Sequence, residues 1–137
     1  MKGRKPPLTV IDGGFLKGRC PSAPDWFTPQ AKAEWQRSAP HLFKTGQLHP
    51  DTMATLEAYC VAAGMVRETE EIMGREGRME ATDKGQKPHA AFKMQSAAMR
   101  EARLLAAELG LTPHRRRMAG ENEGKSTNDQ WDTELLA

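Results

Sequence analysis

No stretch of the chain approaches the roughly 18 consecutive apolar residues that a membrane span requires, so no membrane partner is expected. Cysteine is scarce. Cys20 and Cys60 are the only two and lack CxxC spacing, which predicts free thiols in a reducing compartment. The first residues are basic, but Pro6, Pro7, Asp12, Gly13 and Gly14 interrupt the apolar core of any secretion signal. The expected location is the cytoplasm. Aromatic residues make up 6% of the chain, and Phe92 alone falls in the second basic block, which disfavours recognition of single strands by base stacking.

Catalytic motifs are missing as well. His41, His49, His89 and His114 are scattered, with no HExxH pair and no cysteine support for a metal. There is no Walker loop, no dinucleotide fingerprint and no GxSxG elbow. Glu68, Glu70, Glu71 and Glu76 would share a helix face, read as a solvated or inter-subunit surface rather than as paired catalytic carboxylates. The expectation is a protein with no catalysis, no metal and no cofactor.

What the chain does have is segregated charge. The net charge of +2 over 137 residues divides into +4 for residues 1–20, +1 for 21–50, −5 for 51–83, +6 for 84–118 and −4 for 119–137. Such blocks suit head-to-tail contact between copies, or separate sites for different partners. Hydrophobic residues are 38% of the chain and the mean hydropathy is −0.69, below an ordinary globular domain. Either the ends lie outside the core, or a thin core is completed by other copies.

Local signals predict an all-α fold: short N-terminal helices followed by a long antiparallel helical hairpin, between a flexible basic arm (1–23) and a flexible acidic tail (119–137). Residues 24–118 would form the helical DNA-recognition and oligomerisation domain. After the anchor Trp26-Phe27, Thr28-Pro29 caps a helix to about Ser38, and Pro40 is expected to break or kink it. A short turn then ends at Gly46. Pro50-Asp51 opens the longest helix, of about 27 residues, with Met53, Leu56, Cys60, Ala63 and Val66 at helical spacing and Gly77 as its stop. Gly64 and Gly74 weaken it. Residues 78–87 read as a polar loop, with no strand predicted anywhere. Pro88 starts a third helix, rich in Ala and Met, which reads as a packing face.

The sharpest local signal closes that helix. Gly110 suits the left-handed position of a helix end, Leu111 can fold back on the last turn, and Thr112-Pro113 starts a new turn. Arg115, Arg116 and Arg117 follow, so a rigid helix end presents a cation cluster suited to phosphate, or simply a solvated face. Lys93, Arg100 and Arg103, at spacings of seven and three, fall in one sector of the third helix. With Lys84 and Lys87 before them and Lys2, Arg4 and Lys5 in the basic arm, they complete the candidate DNA contacts. In the acidic tail, Trp131, Leu135 and Leu136, with Asp132 beside them, form a candidate protein-binding motif that would fold as a helix on its partner.

These residues also carry a family likeness. Pro24-x-Trp26-Phe27, Ala31-Lys32-Ala33-Glu34-Trp35, Pro40-His41-Leu42, Gly46-Gln47-Leu48, Asp51, Leu56-x-x-Tyr59-Cys60, Lys84-Gly85 with Pro88, and Leu109-Gly110-Leu111-Thr112-Pro113-x-x-Arg116 occur in an order that resembles small terminase subunits of tailed bacteriophages. The likeness spans about residues 24–118. Phe27 stands where the family often has Leu, and Lys87-Pro88-His89 modifies its His-Pro junction. The resemblance implies a non-catalytic, ring-forming subunit in the host cell cytoplasm. It would bind double-stranded viral DNA and engage, through the tail, a large terminase subunit that holds the ATPase and nuclease. The family's DNA contacts vary, so the arm, the third-helix sector and the arginine cluster all stay candidates. Two other readings stand beside it: a small dimeric helical DNA-binding regulator, and an adaptor that does not bind DNA.

Overall fold

A computed structural model describes residues 18–117. The arm residues Lys2, Arg4 and Lys5 and the tail motif Trp131, Asp132, Leu135 and Leu136 lie outside them. In chain order the elements are α1 (Pro29–Lys44), α2 (Met53–Glu76), β1 (Met79–Thr82), β2 (Gly85–Pro88) and α3 (Ala90–Glu108). A further helical turn covers residues 113–117. Among the described residues no helix is long and apolar enough to cross a membrane.

Helix α1 starts as its sequence dictates. The Thr28 Oγ1 accepts a hydrogen bond from the Ala31 N–H at 3.3 Å, with Pro29 in the first turn. The expected break at Pro40 does not occur, because the helix continues to Lys44. Proline removes the bond to the Gln36 carbonyl, but Pro40 and Gln36 both lie on the exposed side, where water can satisfy that group. The helix carried on past Pro40 buries Leu42 completely, next to the equally buried Ala39. That burial outweighs a local cost of about 3 kcal/mol. The end comes at Gly46 (φ +69°), where the Gln47 N–H reaches the Leu42 carbonyl (2.9 Å) and the Gly46 N–H reaches that of Phe43 (3.2 Å). This 6→1 and 5→2 pairing is a Schellman motif.

Helix α2 has 24 residues. It opens at Met53 rather than at Pro50, because Thr52 is engaged in a turn: its Oγ1 accepts from the His49 N–H and donates to the His49 carbonyl, both at 3.0 Å. Gly77 ends it at φ +94°. Gly64, read from sequence as a weak point, is where α1 crosses: a Cβ there would stand 2.8 Å from the Ala31 backbone nitrogen.

The segment expected as a loop is an antiparallel hairpin, which corrects the all-α expectation: the fold is mostly helical with one small sheet. Strands β1 and β2 pair Met79 with Pro88, Glu80 with Lys87, Ala81 with Gln86 and Thr82 with Gly85. Pro88 therefore ends a strand, and His89 caps α3, its Nδ1 accepting from the Ala91 N–H at 3.0 Å. The hairpin is held by local polar pairs. Thr82 donates to the Gly85 carbonyl at 2.6 Å, and Lys87 faces Glu80 at 3.2 Å.

The main core lies at one end of the molecule, where Phe27, Trp35, Leu42, Leu48, Leu56, Cys60 and Leu109 come together. Trp35 stands edge-on to Phe27 and donates its indole N–H to the Pro21 carbonyl at 3.0 Å. Farther along the α2–α3 hairpin the buried set shrinks to Thr69, Met73, Ala91, Gln95 and Ala98. That end buries little apolar surface of its own.

Candidate nucleic-acid interface

Helix α3 rests one side on α2 through Ala91, Gln95 and Ala98. Its opposite side is a crest. Lys93 and Arg100, two turns apart, are exposed there together with Leu104. Arg103 is exposed on the flank that carries Phe92 and Met99. These three cations form no ion pair with any described side chain, so their charge is open to an external anion.

The end of α3 follows the local prediction. Gly110 takes φ +68°, the Leu111 N–H bonds to the Ala106 carbonyl (2.9 Å) and the Gly110 N–H to that of Ala107 (3.2 Å). Leu111 folds back against the core. The new turn is held by the Arg116 N–H on the Thr112 carbonyl at 3.1 Å, and Arg115, Arg116 and Arg117 are all exposed.

The remaining basic residues do not join one patch. Lys84 sits at the tip of the β-hairpin, while Lys87 is paired with Glu80 in a directly opposed cross-strand position. The hydrogen bond from Lys87, above all, holds the Glu80 carboxyl below its usual range. The hairpin is at the start of α3 and the arginine cluster beyond its end. Nineteen residues of helix separate them by about 28 Å at the usual rise. The cations thus form a discontinuous line rather than a cluster.

Three acidic residues of α2, Glu70, Glu71 and Glu76, are engaged one by one. Glu70 accepts from Gln95 at 2.7 Å and pairs with Arg78; the bond from Gln95, then that from Arg78, lowers its pKa. Glu71 accepts from the Gln30 amide at 3.1 Å. Glu76 meets the His89 Nε2 at 2.8 Å. The His89 Nδ1 is already the acceptor of the helix cap, so Nε2 carries the proton and donates it. Glu68 Oε1 is buried with no hydrogen-bond partner. No group of three or more His, Cys, Asp or Glu side chains among the described residues is placed to hold a metal.

Sequence reasoning missed a buried carboxylate. Glu34 is 8% exposed. Its Oε1 accepts from the Tyr59 hydroxyl at 2.7 Å and from Ser38 Oγ at 2.9 Å, and its Oε2 pairs with Arg37. Burial, then the bond to Glu34, pushes Tyr59 up to about 12. Burial, then the nearby charges of Glu34 and Glu57, pushes Cys60 up to about 12 as well. The available signal was spacing: Ala31, Glu34, Trp35, Ser38 and Leu42 share the helical period of a core-facing stripe, and Glu34 is the charged member of it.

A protein-family model described as phage terminase, small subunit, matches residues 31–126. No match to the chain is found among curated proteins or among solved structures. The match takes in α1 from Ala31 onward, α2, the hairpin, α3 and the arginine cluster, so the chain belongs to the phage terminase small-subunit family.

Proposed function

We propose that this protein is the non-catalytic DNA-recognition subunit of a phage packaging motor. In this reading it assembles as a ring in the host cytoplasm, binds double-stranded viral DNA, and delivers it to the large subunit that carries the ATPase and nuclease. Family membership supports the packaging role. The observation that carries DNA binding is the set of exposed cations along α3 and beyond it: Lys93 and Arg100 on the crest, then Arg115–Arg117 on a turn fixed by the Gly110 cap. Cations carried on a fixed backbone need no chain ordering to meet phosphate, and each phosphate they neutralise releases a counterion. The acidic tail, with Trp131, Asp132, Leu135 and Leu136, is the segment suited to the large subunit.

The test is the salt dependence of binding to duplex DNA. Replacing Arg115, Arg116 and Arg117 with Ala should lower the slope of log K against log salt by about 2–3, since each phosphate contact contributes about 0.9. An unchanged slope removes the cluster from the contact surface. Absence of duplex binding at low salt by the unaltered protein would favour the adaptor reading instead.

A further inference from the structure

The two flanks of α3 are unlike. On one, α3 and α2 together line an open groove of about 690 Å³. Its α2 wall is the stripe Ala58, Val61, Ala62 and Met65, its α3 wall Met94, Ala97 and Leu105, and Trp26, 67% exposed, lies at its margin. The spacing of small and apolar residues on two adjacent antiparallel helices leaves a seat for a third helix. The only charged side chains lining it are Glu57 and Glu101, and neither has a hydrogen-bond or ion-pair partner among the described residues.

The other flank carries a matching ridge. Phe92 and Met99, half exposed and two turns apart on α3, stand out from the hairpin. Two cations without partners among the described residues border them: Arg103, one turn beyond Met99, and Arg67, which lines the hollow beside it together with Glu70 and Glu71, whose carboxylates are already engaged by Gln95, Arg78 and Gln30. An apolar groove edged by two free acids thus lies opposite an apolar ridge edged by two free arginines. A surface that differs from its complement and faces away from it makes head-to-tail contacts, which repeat from copy to copy until they close. The chain's own tail suits the groove poorly, because residues 119–137 carry a net charge of −4 and would meet Glu57 and Glu101.

We infer that the groove receives the α3 ridge of a second copy of this chain, with Phe92 and Met99 seated between α2 and α3 and with Arg67 and Arg103 facing Glu57 and Glu101. The inference rests on the multi-copy assembly proposed above and names the surfaces that build it. Lys93 and Arg100, on the crest, remain outside the seam, whereas Arg103 serves the contact between copies.

The experiment mixes two variants of the full chain. Phe92→Asp/Met99→Asp spoils the ridge and keeps the groove; Ala58→Glu/Ala97→Glu spoils the groove and keeps the ridge. All four positions are solvent-facing or half exposed, so each variant should retain the helical circular dichroism of the parent. Each alone should be a monomer by light scattering, and an equimolar mixture should form a dimer and nothing larger, since one intact groove and one intact ridge remain. Arg67→Glu/Arg103→Glu should raise the concentration needed for assembly at least about tenfold, and adding Glu57→Arg/Glu101→Arg should restore it. An unaltered protein that is monomeric overturns both this inference and the ring. A multi-copy unaltered protein whose ridge variant assembles equally well, or two monomeric variants that do not pair, overturns the inference alone.

Discussion

The Tyr59 hydroxyl donates to Glu34 Oε1 at 2.7 Å, joining α1 to α2 at the margin of the core. The same oxygen accepts from Ser38 and the other pairs with Arg37, so a carboxylate that is almost fully enclosed keeps its charge satisfied. Tyr59→Phe removes one of these donors and should cost about 1–2 kcal/mol. Glu34→Ala strands the Tyr59 hydroxyl and leaves Arg37 unpaired, while Ser38 keeps its bond to the backbone carbonyl of residue 34, and it should cost more. Urea midpoints at constant m compare the two, and equal losses would contradict the arrangement.

Alkaline pH should weaken the fold. Tyr59 and Cys60 are both pushed up to about 12, from 10.0 and 9.0. Groups whose protonated form is favoured in the native state contribute stability that is complete below their unfolded values and lost as pH rises through the folded ones. The melting temperature should therefore fall between pH 9 and 12. Tyr59→Phe and Cys60→Ala should each flatten that fall, and a profile unaltered by either would sink the assignment.

Two glycines of α2 should respond oppositely to alanine. At Gly64 the new methyl would lie 2.8 Å from the Ala31 nitrogen and 3.0 Å from its Cα, a backbone clash that should cost about 1–3 kcal/mol despite better helix propensity. At Gly74 nothing lies within 4 Å, and the same change should stabilise by about 0.5–1 kcal/mol. Thermal melts of the two variants should move in opposite directions.

Glu80→Gln should release Lys87 from its cross-strand partner. If Lys87 reaches DNA, the salt slope of duplex binding should steepen by up to about 1. Lys87→Ala should then leave the slope of the unaltered protein almost unchanged, because that lysine is already neutralised within the hairpin.

Legibility in the sequence followed the range of the forces involved. The start of α1 and the end of α3 were readable because capping chemistry is local: Thr28-Pro29 and Gly110-Leu111 carry their own instructions. Pro40 misled because its local penalty is outweighed by Leu42 packing against distant parts of the chain. The β-hairpin was invisible because both strands are largely exposed, so no alternation of apolar residues marks them. Glu34 could be placed on a core-facing stripe but not explained, since Tyr59 comes from another helix. On the candidate DNA surface, sequence identified exposed cations but not that Lys87 is paired, nor that the length of α3 holds Lys84 apart from Arg115.

The same cap closes α1 at Gly46 and α3 at Gly110, and the two ends are neighbours. A Cβ at Gly110 would stand 3.6 Å from the Gln47 amide nitrogen, and Gln47 is itself the residue that completes the α1 cap. The turn that carries the three arginines therefore starts beside a corner laid down far earlier in the chain. Gln47, remote in sequence and carrying no charge, is thus a neighbour of the cap from which the cationic turn departs.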